Sequence, residues 1–206
     1  MRCLIPALAA SLLAAPACAD QLPNLVPAHD LTGSYLVTGK DGPKTVTVEY
    51  SKAANVLRLT PQDGAGYLLY DFAAKDAKMV LPQMQRYMEQ PSVASRIASM
   101  QAPTNGNNVS IAKAGTETIA GHDCTDYTAT NKTKGTSATL CVTDDSVLLK
   151  LTSTDGNSIV AQSVSYSAVP AADVTVPPGY MKFEMPQMPA GTSGMGNMPM
   201  PGAPPP

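Results

Sequence analysis

Residues 45–50 alternate strictly, with Val46, Val48 and Tyr50 on one side and Thr45, Thr47 and Glu49 on the other. Successive side chains of an extended backbone point in opposite directions, so a period of two marks a strand with one buried face. The pattern recurs along most of the chain and commits it to a sheet. Residues 34–39 precede this segment across an Asp41-Gly42-Pro43 turn, and residues 56–60 follow with Leu57 and Leu59 on one face. Residues 66–72 then direct Leu68, Tyr70 and Phe72 to one side, and residues 78–81 come after. Connections this short favour an antiparallel meander.

The period changes after Pro82. Over residues 83–100 the apolar positions Met84, Tyr87, Met88, Val93, Ile97 and Met100 fall three and four apart, which predicts a helical segment. Pro91 breaks or restarts it, because proline suits the first position of a helix. The apolar stripe is expected to cover the concave face of the sheet. Residues 103–108 are expected to form a loop, and strands resume at 115–120, 122–130, 136–143, 147–154 and 158–169. An extended segment at 174–180 closes the globular part. The fold class is therefore mainly β (α+β), a curved antiparallel sheet with a helical segment over its concave face.

Both ends differ from this body. Met1 and Arg2 form a short positive region, an apolar stretch follows, and Ala17-Cys18-Ala19 places small residues ahead of Asp20. That layout predicts a secretory signal peptide over residues 1–19, cut after Ala19, in a periplasmic or secreted protein. The apolar stretch is too short to cross a bilayer, so no transmembrane span is expected. Lipidation at Cys18 ranks second, since Ala15-Pro16-Ala17 lacks the usual leucine. At the other end, residues 184–206 are rich in Pro, Met and Gly with Glu184 the only charge. Such a stretch buries too little apolar surface to offset its ordering entropy, and disorder is expected.

The formal net charge is −2, and losing Arg2 with the signal makes it −3. Nothing so near neutral, without a basic cluster, points to nucleic acid. A monomer is expected.

Cleavage leaves Cys124 and Cys141, and an even count in an exported chain predicts one disulfide. If Thr130 pairs with Gly135 around a four-residue turn, the two cysteines fall directly opposite each other on neighbouring strands. Asp126, Thr128, Ser137 and Thr139 then share their face, which puts the bridge on the polar side as a structural staple.

The segment Thr118-Ile119-Ala120-Gly121-His122-Asp123-Cys124-Thr125-Asp126-Tyr127 and the ending Val176-Pro177-Pro178-Gly179-Tyr180 resemble uncharacterised periplasmic domains of the LolA-like superfamily. That superfamily includes outer-membrane lipoprotein carriers and lipid-binding lipoproteins. The resemblance covers roughly residues 30–183. It implies an incomplete β-barrel whose sheet wraps around a helical lid and leaves an apolar cavity for acyl chains. The chain departs from the carriers in having no Trp and only two Phe.

No catalytic constellation is present. His29 and His122 are the only imidazoles, and the sequence has no GxSxG, HExxH or glycine-rich phosphate loop. No enzyme activity and no cofactor are expected. The expected function is non-catalytic binding of a lipid, a lipoprotein acyl chain or another hydrophobe. Its candidate lining is Leu57, Leu59, Leu68, Tyr70, Phe72, Met84, Met88 and Ile97, side chains that equally suit a closed dry core. Two alternatives stand beside it. Thioethers at Met185, Met188, Met195, Met198 and Met200 are soft ligands suited to Cu(I). An open sheet edge would suit a structural or assembly partner in the envelope.

Overall fold

A computed structural model describes residues 22–101 and 108–183. Twelve strands and one α-helix follow in chain order: β1 (Leu31–Gly39), β2 (Gly42–Ser51), β3 (Val56–Pro61), β4 (Tyr67–Asp71), β5 (Asp76–Leu81), β6 (Arg86–Glu89), α1 (Pro91–Gln101), β7 (Val109–Ile119), β8 (His122–Asn131), β9 (Thr136–Val142), β10 (Leu148–Ser153), β11 (Ser158–Ser165) and β12 (Met181–Lys182). They form a single curved sheet in the order β12-β6-β5-β4-β3-β2-β1-β11-β10-β9-β8-β7, not closed into a barrel. Neighbours are antiparallel except β12 and β6, which run parallel. The expected mainly-β class with a curved antiparallel sheet and a helix packed on it is what the chain adopts.

Local chemistry sets the hairpins. β7 turns into β8 through Ala120 and Gly121, with φ of 52° and 82°. Two positive φ values in a two-residue loop give the turn whose twist matches that of the flanking strands. At the start of β4 the backbone of Gly66 lies so close to β5 that a Cβ there would sit 2.2 Å from the Val80 carbonyl oxygen. Only glycine fits.

The 83–100 segment, expected to be helical with a break or restart at Pro91, is α-helical only from Pro91 onward. Pro82–Met84 forms one 3-10 turn, Gln85 adopts a left-handed φ of 50°, and β6 then pairs with β5. The reason is that both faces of β6 are apolar. Met88 lies opposite Met79, whereas Tyr87 lies opposite Val80 and packs with Tyr67, Leu69 and Val80 on the other side of the sheet. Adjacent apolar residues hide a period of two and imitate a helical stripe. The helix itself starts at Pro91, as expected, and turns Val93, Ala94 and Ile97 towards Tyr70 and Ala77.

The hairpin carrying the cysteines is also shifted. Asn131 pairs with Thr136, so Cys141 faces Asp126 rather than Cys124. The disulfide forms all the same, diagonally between β8 and β9, with a Cα–Cα distance of 5.4 Å. Moving the register by two along a strand keeps side chains on the same face, which is why the two sulfurs still meet. The bridge is not on a polar face. Both cysteines are buried and join the main core with Leu31, Tyr35, Tyr50, Val147, Leu149 and Ala161.

Beyond β11 the chain returns across the outer side of the sheet. Val176 and Tyr180 pack against Tyr67, Leu69 and Val80. Arg58 holds this strap: its guanidinium stacks 4.0 Å from the Tyr67 ring centroid, donates to the Asp173 carbonyl at 2.9 Å and pairs with Glu49 at 3.5 Å. The buried Ser51 hydroxyl donates to the Val169 carbonyl at 2.9 Å. The strap ends by adding β12 to the edge of β6.

Candidate functional site

Two in-register rows of side chains run across the α1 side of the sheet. The first is Leu31, Tyr50, Leu57, Tyr70 and Ala77, each directly opposite the next on β1 to β5. All but Leu57 are buried; Tyr70 and Ala77 form the floor beneath α1, whereas Leu31 and Tyr50 belong to the main core. The second is Val48, Leu59, Leu68, Met79 and Met88, opposite one another on β2 to β6. None of these five is fully buried. Residues that face each other across antiparallel strands share a side of the sheet, so the two rows lie side by side; α1 stands over the Tyr70 and Ala77 end of the first, and the second stays partly open.

Seven of the eight candidate lining residues fall on these rows or under the helix. Leu57, Leu68, Phe72 and Ile97 surround Tyr70, Ala77 and Ala94, and Leu59 and Met88 lie on the open row. Met84 does not join them. It sits in the 3-10 turn and is 60% exposed.

The Tyr70 hydroxyl stands out within this apolar setting. It is buried and has no hydrogen-bond partner. Its ring packs edge-on against Phe72 with centroids 5.0 Å apart, and Phe72 in turn meets Tyr50 at 5.6 Å. Burial, helped by the Asp71 carboxylate, pushes the Tyr70 phenol up from its ordinary value, so it stays protonated as a donor.

At the other end of the sheet a charged cluster borders the disulfide. Lys150 pairs with Glu117 and lies 3.9 Å from Asp126. The Glu117 carboxylate and both cysteine sulfurs lie within 4.8 Å of one another. The sulfurs are spent on each other and the carboxylate on Lys150, so the group is a structural junction and not a metal centre. The sequence separates these residues too widely to foresee it.

A third feature went unforeseen. An open cleft of about 720 Å³ is lined by His29, Asp30, Lys52, Ala53, Tyr166, Ser167 and Ala168. Both histidines of the chain meet Tyr166 edge-on, His122 at 5.3 Å and His29 at 6.3 Å between centroids. Burial and a hydrogen bond to Asp145 push the Tyr166 phenol up to about 12. Asp145 is itself held below the usual carboxylate range: burial works to raise it, but hydrogen bonds from Thr143 and Tyr166 prevail. The Asp30 carboxylate accepts from the backbone amides of Lys52 at 2.6 Å and Val169 at 3.1 Å, which lowers its pKa and ties the entrance of β1 to the strap. These contacts position the chain around the cleft.

The methionines proposed as copper ligands, the signal segment 1–19 with Cys18, and the tail from Glu184 all lie outside the described residues. Among the described residues no helix is long and apolar enough to cross a membrane.

Residues 65–164, just under half of the chain, match a family model described as a domain of unknown function (DUF4412). The match runs from β4 to β11. Curated proteins give no match. Among solved structures the chain is similar to an uncharacterized conserved protein from Thermus thermophilus, with 9% identity over 76% of this chain and 90% of that chain and a TM-score of 0.53. It is similar also to a chain of the Pseudomonas aeruginosa MucA/MucB complex, at 14% identity and a TM-score of 0.52, covering 74% of this chain and 58% of that chain. A LolA superfamily protein from Nitrosomonas europaea matches with 9% identity over 75% of this chain and 92% of that chain, at a TM-score of 0.33. At such identities the first two matches show a likeness of fold alone.

Proposed function

We propose that this is a non-catalytic envelope protein that holds a lipid, acyl chain or other hydrophobe against the α1 side of its sheet. The observation that carries the reading is the row Val48, Leu59, Leu68, Met79 and Met88: five apolar side chains in register on five adjacent strands, each partly open to solvent. Apolar surface aligned in this way gains free energy when a hydrocarbon displaces water from it, about 25 cal/mol per Å². Methionine at two of the five positions lets the surface adapt to a flexible chain. The export signal expected over residues 1–19 and the LolA-like resemblance support an envelope location and a hydrophobic cargo. The test is a titration with a fluorescent fatty acid. Saturable binding by the natural protein, weakened at least ten-fold by Leu59→Glu with an unchanged circular dichroism spectrum, is expected. No saturable binding by the natural protein refutes the reading.

A second reading rests on the far edge of the sheet. β7 is eleven residues long and, among the described residues, has β8 as its neighbour on one side only. An edge of that length offers a row of backbone groups to an added strand, as in peptide recognition by strand addition. The structural likeness to a protein seen in complex with a partner supports it. Crosslinking from Thr116→Cys in an envelope extract tests it: a discrete adduct supports a protein partner, and its absence removes this reading while leaving the first intact.

A further inference from the structure

We propose that the Tyr70 hydroxyl is the polar anchor of the apolar site and donates a hydrogen bond to the neutral carbonyl oxygen of an acyl ester. This rests on the hydrophobe-binding reading and names the class of ligand. A buried hydroxyl without a partner costs free energy, and native chains leave few of them. Here the orphan belongs to a buried residue in the row beside the open one, within the cluster that Tyr70 and Ala77 form with Ala94 of α1 and against which Leu68 of the open row also packs. Phenylalanine would pack in the same place without that cost, so the hydroxyl calls for an explanation that packing does not supply.

The surroundings select among head groups. Leu57, Leu68, Phe72 and Ala77 on the sheet and the three α1 residues above them are all apolar. The charge that acts on the phenol is the negative one of Asp71, which leaves a carboxylate ligand without compensation and repelled. A neutral ester carbonyl needs only one donor, and Tyr70 is one. α1 offers a thin cover for its admission: Ala94 is its buried side chain, Val93 and Ile97 are half-buried, and Met100 is 46% exposed. Shifting such a helix exposes little apolar area, and an acyl chain entering beside the open row replaces it.

The experiment compares three fluorescent probes at pH 8 on the full-length mature protein: the methyl ester of cis-parinaric acid, the free cis-parinarate anion, and diphenylhexatriene, which has no head group. The natural protein is expected to prefer the ester over the anion. Tyr70→Phe is expected to weaken the ester about three- to ten-fold, the value of one hydrogen bond, and to leave diphenylhexatriene unchanged. Its melting temperature is expected to equal or exceed that of the natural protein, which shows that the variant is folded. An ester affinity unchanged by Tyr70→Phe, or a loss shared equally by ester and diphenylhexatriene, overturns the proposal while the hydrophobe-binding reading survives. Failure of the natural protein to bind any of the three overturns that reading first.

Discussion

Opening the bridge between Cys124 and Cys141 isolates one constraint whose size follows from chain length. The cysteines are 17 residues apart. In the chain-entropy account a loop of that length stabilises the folded state by about 3 kcal/mol, through the freedom it removes from the unfolded chain. Reduction of the natural protein removes the cross-link and keeps both sulfurs in the core. The double variant Cys124→Ala/Cys141→Ala removes the cross-link and also empties two positions that are buried in the main core cluster. Each lost sulfur, comparable in size to a methylene, adds about 1 kcal/mol. Urea unfolding followed by tyrosine fluorescence, with and without a phosphine reductant, measures the difference. The reduced protein is expected to lose about 3 kcal/mol, or about 6–12 °C in melting temperature for a domain of this size, and the double variant about 5 kcal/mol. The slope of stability on urea should rise on reduction, because the uncrosslinked unfolded chain exposes more surface. A loss below about 1 kcal/mol refutes the argument and shows that the neighbouring strands, and not the staple, hold this end of the sheet. A functional redox switch predicts something different: reduction would change ligand binding more than stability.

Arg58→Ala removes a cation–π contact to Tyr67 and a hydrogen bond to Asp173, and is expected to cost about 1–2 kcal/mol. Limited proteolysis should then cut within residues 170–183, and an unchanged digestion pattern contradicts the role given to Arg58. Acid should weaken the fold through Asp30 and Asp145. Both have folded pKa values below the ordinary 3.8, so their contribution is complete above that value and is lost as pH falls through the folded values. Stability measured by urea unfolding should fall steadily below about pH 4, less steeply in Asp145→Asn; an equal slope in the variant counts against the Asp145 contacts. Alkali acts through Tyr166 with the opposite sign. Its folded pKa is raised to about 12 from 10.0, so stability should decline as pH rises above 10, and the ultraviolet tyrosinate titration of Tyr166→Phe should lose a step near 12.

Much of the architecture was legible because the meander is local. Alternation in β2 to β5 located the strands and correctly put Leu57, Leu59, Leu68 and Tyr70 on one face, since side-chain direction follows from backbone period alone. β6 escaped because the half-buried Tyr87 and Met88 lie on opposite faces, and a strand apolar on both sides has no period of its own. The cysteine pairing was legible, its register was not: the turn closes on Asn131, whose side-chain oxygen accepts from the amides of Thr133 and Lys134, both at 3.0 Å. That Asx turn was present in the sequence as Asn131 and could have fixed the register. Burial of the bridge depends on β1, β2, β10 and β11 folding over it, which no local pattern reports. The same holds for the site. Which residues share a face could be read; which row α1 would cover, and that Tyr70 would be left without a partner, depends on tertiary packing.

Native mass spectrometry of the protein isolated from the cell envelope without detergent addresses the central claim most directly. A folded charge-state series carrying an additional mass, released on activation and identified by fragmentation as an acyl-containing molecule, is the result expected. A spectrum showing only the bare polypeptide, which also fails to take up added acyl ester, would mean that the open row on β2 to β6 is no more than an ordinary protein surface.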